Sequence, residues 1–213
     1  LNTGVVEITA TTCDGGKKAV STIKIYADKT ELNKVMSYVE GLDYTGFTPA
    51  SWAVLQEKYE AADAVFCADD PTQEEVNNAR IALSDAISNL VEYVYVSDVK
   101  ISCDGNTAQN INIIVPEGEP YLGAYANLSF VVNPENAMYT TAEWSYDGTI
   151  IYNPAVGVVA PSVNEPCYGR IYLTLKDDFG NEYKTTSYVT FARNPVASVE
   201  LNTDLIETNV NAE

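Results

Sequence analysis

The sequence predicts a multidomain chain of α and β parts: an antiparallel three-helix bundle plus a β-sandwich, with partial β-sandwich remnants at both chain ends. Three observations predict it. The hydrophobic period changes from two to three-and-four near residue 28 and returns to two near residue 96. The strand-like runs after residue 96 are short and separated by Asn-, Gly- and Pro-rich turns. Two stretches of sequence recur at fixed offsets.

In chain order, Val6-Glu7-Ile8-Thr9 and Ile23-Lys24-Ile25 alternate in the strand manner around the turn cluster Asp14-Gly15-Gly16, which predicts a β-hairpin over residues 4–26. Leu32, Val35, Val39 and Leu42 then recur at helical spacing. Trp52, Leu55, Tyr59, Ala62 and Phe66 repeat the pattern, followed by Val76, Ala79, Leu83, Ile87 and Leu90. Three apolar stripes with no other partner predict an antiparallel bundle of helices near 29–41, 49–67 and 73–92. Thr72 with Glu75 predicts a capping box, Thr48 with Pro49 a second helix start, and Phe47 with Trp52 a hydrophobic staple. Asp28 with Glu31 predicts the same kind of start for the first helix.

From residue 96 to about 193, alternation such as Leu128-Phe130-Val132 and Ile171-Leu173-Leu175 predicts a sandwich, with Trp144 in its core on a central strand. The hairpin over Ile8–Gly15 recurs over Leu173–Gly180 at an offset of 165, with Ile23 and Ile25 answering Val189 and Phe191 after a one-residue slip that reads as a bulge. Val96, Val99 and Ile101 recur as Val196, Val199 and Leu201 at an offset of 100. The expected order is therefore a closing hairpin over 1–27, a helical module over 28–94, a whole sandwich over 95–194, and a first strand in 195–213.

Composition excludes several classes of function. The net charge is −18, with thirteen acids against four bases in 28–95 and eleven against five in 97–195. Such a surface repels a phosphate backbone, so nucleic acid is not an expected partner. No apolar run approaches the roughly 20 residues of a membrane span. The chain has no histidine, which removes serine triads, cysteine–histidine pairs and the zinc-helix motif. Neither catalytic nor metal-ligating residues are expected, nor any cofactor. Asp69-Asp70, Asp147 and Asp177-Asp178 lack the alternating acids of a calcium loop and read as turn residues. Asn127-Leu128-Ser129 matches a glycosylation acceptor, but Leu128 falls on a core position. The opening Leu1-Asn2-Thr3 reads as a cut fragment, not a natural start.

Residues 30–93, with Leu42-Asp43-Tyr44-Thr45-Gly46-Phe47-Thr48-Pro49-Ala50-Ser51-Trp52 and Asp70-Pro71-Thr72-Gln73-Glu74-Glu75-Val76, resemble a FIVAR module. The flanks, most clearly Gly4-Val5-Val6-Glu7-Ile8-Thr9-Ala10-Thr11-Thr12 and Asp14-Gly15-Gly16-Lys17-Lys18, resemble bacterial group 2 immunoglobulin-like domains. The resemblance implies an immunoglobulin-like sandwich and a large exported, extracellular protein of Gram-positive type. It also implies glycans or matrix proteins as partners. The expectation is a non-catalytic spacer and display segment; the alternative is a set of accessory modules of a glycoside hydrolase encoded elsewhere in the polypeptide.

Tyr44, Phe47 and Trp52 are the candidate ligand-binding residues, since flat aromatic faces stack on sugar C–H groups. The competing reading makes Phe47 and Trp52 a staple and places Trp52 in the core stripe. Of the four cysteines, only Cys103 and Cys167 share a domain. In immunoglobulin-like topology the end of the first strand and the start of the penultimate strand lie at one end of the sandwich, so a Cys103–Cys167 disulfide is expected. Finally, an isolated hairpin and an unaccompanied first strand each seek a partner. Strand addition between the chain ends of neighbouring copies is expected to supply one.

Overall fold

The computed structural model describes residues 3–193, and these divide into two compact units between Val94 and Tyr95. Each unit is taken by itself.

The first unit opens with β1 (Gly4–Thr11) and β2 (Lys18–Ile25), paired antiparallel from Gly4↔Ile25 to Thr11↔Lys18. Helices α1 (Thr30–Glu40), α2 (Pro49–Cys67) and α3 (Gln73–Ser88) follow. Their shared core is Leu32, Met36, Val39, Leu55, Ala62, Val76, Leu83 and Ala86, all on the periodic stripes. Thr72 and Glu75 satisfy each other's amides at the start of α3, with Thr72 N donating to Glu75 Oε2 at 2.7 Å and Glu75 N to Thr72 Oγ1 at 3.1 Å. The start of α1 differs from expectation. Asp28 accepts from the Thr30 amide at 2.9 Å, while Lys29 takes the cap position with no side-chain bond. The Lys29 ammonium instead reaches the Phe66 and Ala68 carbonyls at 2.6 and 2.8 Å, serving the orphan acceptors at the end of α2.

The second unit holds nine strands: β3 (Asp98–Cys103), β4 (Asn106–Thr107), β5 (Asn110–Ile114), β6 (Ala126–Asn133), β7 (Thr141–Gly148), β8 (Ile150–Asn153), β9 (Val158–Pro161), β10 (Cys167–Lys176) and β11 (Glu182–Ala192). One sheet has the order β5-β11-β10-β7 and the other β4-β3-β6-β9-β8. Inward residues alternate along the strands, and Ile171, Leu173, Leu175, Val189 and Phe191 are completely buried. After β4 the chain changes sheet, and β5 runs parallel beside β11 from Tyr188↔Asn110 to Ala192↔Ile114.

The expected fold class needs correction. Among the described residues there are eleven strands in three sheets against three helices, so the chain is a mixed α and β protein in which strand outweighs helix. An antiparallel three-helix bundle does not describe the helical region. The α1–α2 link carries a 3-10 turn at Tyr44–Gly46, and the backbone after α3 pairs with that link. Tyr93 N donates to Gly46 O, Thr48 N donates to Val91 O, and Phe47 bridges Glu92. This extended pairing also ends α3 at Ser88, short of the predicted residue 92. A stripe of apolar residues says which face of a helix is buried, not how neighbouring helices are arranged around it. The predicted remnant in 195–213 lies outside the described residues.

Two further expectations change. Trp144 stands on β7, an edge strand, not a central one. The slip between the two hairpins is not a bulge, because both ladders run uninterrupted. The turns differ instead, spanning residues 12–17 in one hairpin and 177–181 in the other. Gly4 faces Ile25 as Gly169 faces Val189, so Ile25, not Ile23, takes the place of Val189.

Candidate binding site

The three candidate aromatic residues come together in the first unit through local hydrogen bonding. Asp43 accepts from the Thr45 amide at 3.0 Å and its hydroxyl at 2.8 Å, which sets the tight turn that presents Tyr44. These bonds hold the Asp43 carboxyl below its usual pKa. Thr48 then caps α2 by accepting from Ser51 N at 3.4 Å, with Pro49 at the first helical position. The Ser51 hydroxyl accepts from Val91 N at 3.2 Å and so ties this helix start to the strand-like return of the chain.

On that frame the Phe47 and Trp52 rings stack, with centroids 6.1 Å apart and planes 12° apart. Tyr44 tilts against Trp52 at 6.4 Å and is 56% exposed. Trp52 is half-buried and packs on the helical core. Both readings of the sequence therefore meet in one side chain: its staple position fixes the ring, and its open part stays available. Beside it lies a cleft of about 240 Å³ lined by Val39, Glu40, Leu42, Trp52, Leu55, Gln56 and Tyr59. Tyr59 donates its hydroxyl to Glu40 at 2.6 Å; that bond, with some burial and the Glu40 charge, pushes the phenol up to about 12. The tyrosine is thus a fixed neutral wall of the cleft at any ordinary pH.

Among the described residues no group of three or more Cys, Asp or Glu side chains could hold a metal ion, and no helix is long and apolar enough to cross a membrane. What the site offers is a flat apolar surface edged by hydrogen-bonding groups.

The expected Cys103–Cys167 disulfide is absent. All four cysteines are free thiols. The Cys103 thiol faces the Asp104 carboxylate at 3.7 Å, and burial, then the Asp104 charge, raises its pKa. The Cys167 thiol donates to Glu165 O at 3.0 Å. Cys103 closes β3 in one sheet and Cys167 opens β10 in the other. A disulfide requires two Cα atoms within about 7 Å and converging Cβ atoms, a condition that membership in an immunoglobulin-like topology does not by itself meet.

Sequence reasoning missed a second aromatic cluster, Phe130, Tyr139, Trp144 and Tyr152 in the second unit. The available signal was the alternation Ala142, Trp144, Tyr146, which puts two large rings on one strand face. Whether that strand lies at a sheet edge is not written in its own residues.

Residues 28–91 match the family model of the FIVAR domain, a non-catalytic family. No curated protein sequence matches the chain. Two solved structures of Clostridium perfringens ZmpB, comprising CBM51-2 and INT domains, one in complex with GlcNAc, align over 81% of this chain. Each does so at 10% identity and a TM-score of 0.34. A nucleoside hydrolase-related hypothetical protein from Saccharophagus degradans, associated with carbohydrate metabolism, aligns over 62% of this chain and 36% of its own, at 12% identity and a TM-score of 0.31. The chain spans about half the length of the Clostridium perfringens structures, 52% and 53%.

Proposed function

We propose that the chain is a non-catalytic segment of a secreted or cell-surface bacterial multidomain protein, acting as spacer and display region. In this reading its FIVAR domain binds a glycan or an extracellular-matrix protein. The observation that carries it is the ring cluster of the first unit, with exposed Tyr44 beside the stacked Phe47–Trp52 pair and the adjoining cleft. A planar apolar face with Gln56 and Glu40 at its margin suits a sugar ring, whose C–H faces stack while its hydroxyls hydrogen-bond. The acidic composition disfavours an anionic polymer.

The segments 1–27, 28–94, 95–194 and 195–213 belong to the same reading, with β-modules as spacers on either side of the helical one. The uncovered hairpin β1–β2 supports it, since such a ribbon needs further structure against it. Strand addition between neighbouring copies would supply that structure in part. An added strand would stand beside β2 as β5 stands beside β11.

Binding of the intact chain to arrayed glycans and immobilised matrix proteins tests the reading. Tyr44→Ala is the informative variant, because removing an exposed ring leaves the helical core in place. Affinity should fall about tenfold, or about 1.4 kcal/mol. No binding to any glycan or matrix protein would leave a spacer and remove the ligand.

A further inference from the structure

The two sheets of the second unit close tightly over β10 and β11 but part over β6 and β7. Along the inner side of β6, burial declines from Ala126 and Leu128, which are buried, to Phe130 and Val132, which are half-buried. On the inner side of β7, Trp144 is half-buried and Tyr146 is exposed, whereas their neighbours Leu173 and Ile171 on β10 are completely buried. Topology accounts for the parting. Strand β9 pairs with β6 only at Ala126 and Asn127, so the rest of β6 has β3 as its one ladder neighbour. Strand β7 is an edge and pairs only with β10.

The opening is a cleft of about 760 Å³, within the size range of small-molecule sites. Four rings run through it in contact. Tyr139 meets Phe130 edge-on at 5.7 Å, Phe130 meets Trp144 at 6.0 Å, and Trp144 meets Tyr152 at 5.0 Å. Their exposure is graded, from 41% at Tyr139 on the rim to 6% at Tyr152 on the floor. A packed core would bury all four, and scattered surface rings would not touch. Glu135 is the one charged side chain among the residues lining the cleft. Among the described residues, neither its carboxylate nor the Trp144 indole N–H has a hydrogen-bond partner within the protein.

We propose that this cleft binds a neutral oligosaccharide. The rings offer stacking faces to sugar C–H groups. The Glu135 carboxylate accepts from sugar hydroxyls, and the Trp144 N–H donates to them. Charge selects the class of sugar: an acidic rim on a chain of net charge −18 repels uronic acids, sulfated glycans and phosphates. An extended peptide added to the open edge of β6 is the competing occupant. It would use main-chain hydrogen bonds and would not need a continuous wall of rings. The site is separate from the ring cluster of the FIVAR domain, so the two stand or fall independently.

The chain has two tryptophans, so Trp52→Phe leaves Trp144 as its sole indole reporter. Fluorescence titration of that variant with cello-, chito- and manno-hexaose should give a saturable shift of Trp144 emission, and hexagalacturonate should give none. Calorimetry on the otherwise unaltered chain should show Glu135→Gln and Tyr139→Ala each weakening the same sugar about tenfold. Both side chains are exposed. No saturable signal up to about 10 mM sugar would overturn the proposal. So would a Trp144 response to an extended peptide but to no sugar. Sugar binding abolished by Tyr44→Ala and indifferent to Glu135→Gln and Tyr139→Ala would also overturn it, while leaving the FIVAR-domain reading intact.

Discussion

Two hairpins of this chain carry the same alternation and meet opposite fates. In β1–β2, Val6, Ile8, Ala10, Ile23 and Ile25 share one face; in β10–β11, Ile171, Leu173, Leu175, Val189 and Phe191 do. Ile8 is 53% exposed, whereas Leu173, its counterpart at an offset of 165, is fully buried. Both ladders are regular and antiparallel. The difference lies in what surrounds them: β10–β11 is flanked by β7 and β5 and covered by a second sheet, while β1–β2 is a two-stranded sheet whose residues are almost all exposed. An amphipathic ribbon is thus a local property of sequence, but its stability is a property of what packs on it.

The largest expected effect separates the hairpins by one substitution in each. Leu173→Ala should cost the second unit about 2–5 kcal/mol, through lost transfer energy and the cavity left behind. Ile8→Ala should cost less than about 0.5 kcal/mol, as at an ordinary surface position. Urea midpoints of the two variants measure both. A comparable loss for Ile8→Ala would break the comparison, because it would mean that the face of β1–β2 is covered in solution.

The turns sharpen it at smaller scale. Asp177, 5% exposed, accepts from the Phe179 and Asn181 amides, the Asn181 side chain and the Tyr183 hydroxyl. Burial pushes its pKa up, but these bonds together outweigh it and hold the carboxyl below its ordinary value. A depressed pKa stabilises the fold above the unfolded value of about 3.9, and this contribution is lost as pH falls through the folded value. Asp177→Asn should therefore cost about 1–3 kcal/mol at neutral pH and flatten the acid loss of stability below about pH 4. Asp14, in the turn of β1–β2, is also held low, first by its Thr12 hydroxyl bond and then by the Gly16 amide, but it is exposed. Asp14→Asn should leave the acid melting curve where it is. Chemical denaturation across pH 2–7 reads both, with equal shifts for the two variants as the contrary result.

The smallest effect is chemical. Cys13 lies exposed in the first hairpin's turn and Cys67 is exposed at the end of α2, whereas Cys167 is 1% exposed at the start of β10. A disulfide reagent should titrate Cys13 and Cys67 at once. Cys103 should follow slowly, because its thiolate is disfavoured by burial and by Asp104. Cys167 should react only on unfolding. Cys103 and Cys167 reacting only after a reductant is added would restore the bridge that the structure lacks.

Much of the helical region was legible because its signals are local. Thr72 with Glu75, Thr48 with Pro49, and the spacing of Leu32, Leu55 and Leu83 each act within a turn or two of the chain. The Phe47–Trp52 contact was legible for the same reason. The start of α1 was misread because Lys29 serves carbonyls more than thirty residues away, at Phe66 and Ala68. The class of the helical region was misread because strand-like pairing between the α1–α2 link and residues 91–93 joins segments whose sequences show no sign of it.

The sequence by itself determined where the hydrophobic period changes, which face of each helix and strand is apolar, the acidity of the surface and the absence of an imidazole. These follow from side-chain type and from the 3.6 and 2.0 residue periods of the backbone. Only the tertiary structure decided which strands are edges, that one of two like hairpins is covered and the other bare, and that Cys103 and Cys167 remain thiols. It alone gathered Phe130, Tyr139, Trp144 and Tyr152 into one cleft. The physical reason is that ladder order and sheet-on-sheet packing join residues far apart in the chain. Alternation along a strand says which side is apolar and leaves open what, if anything, lies against it.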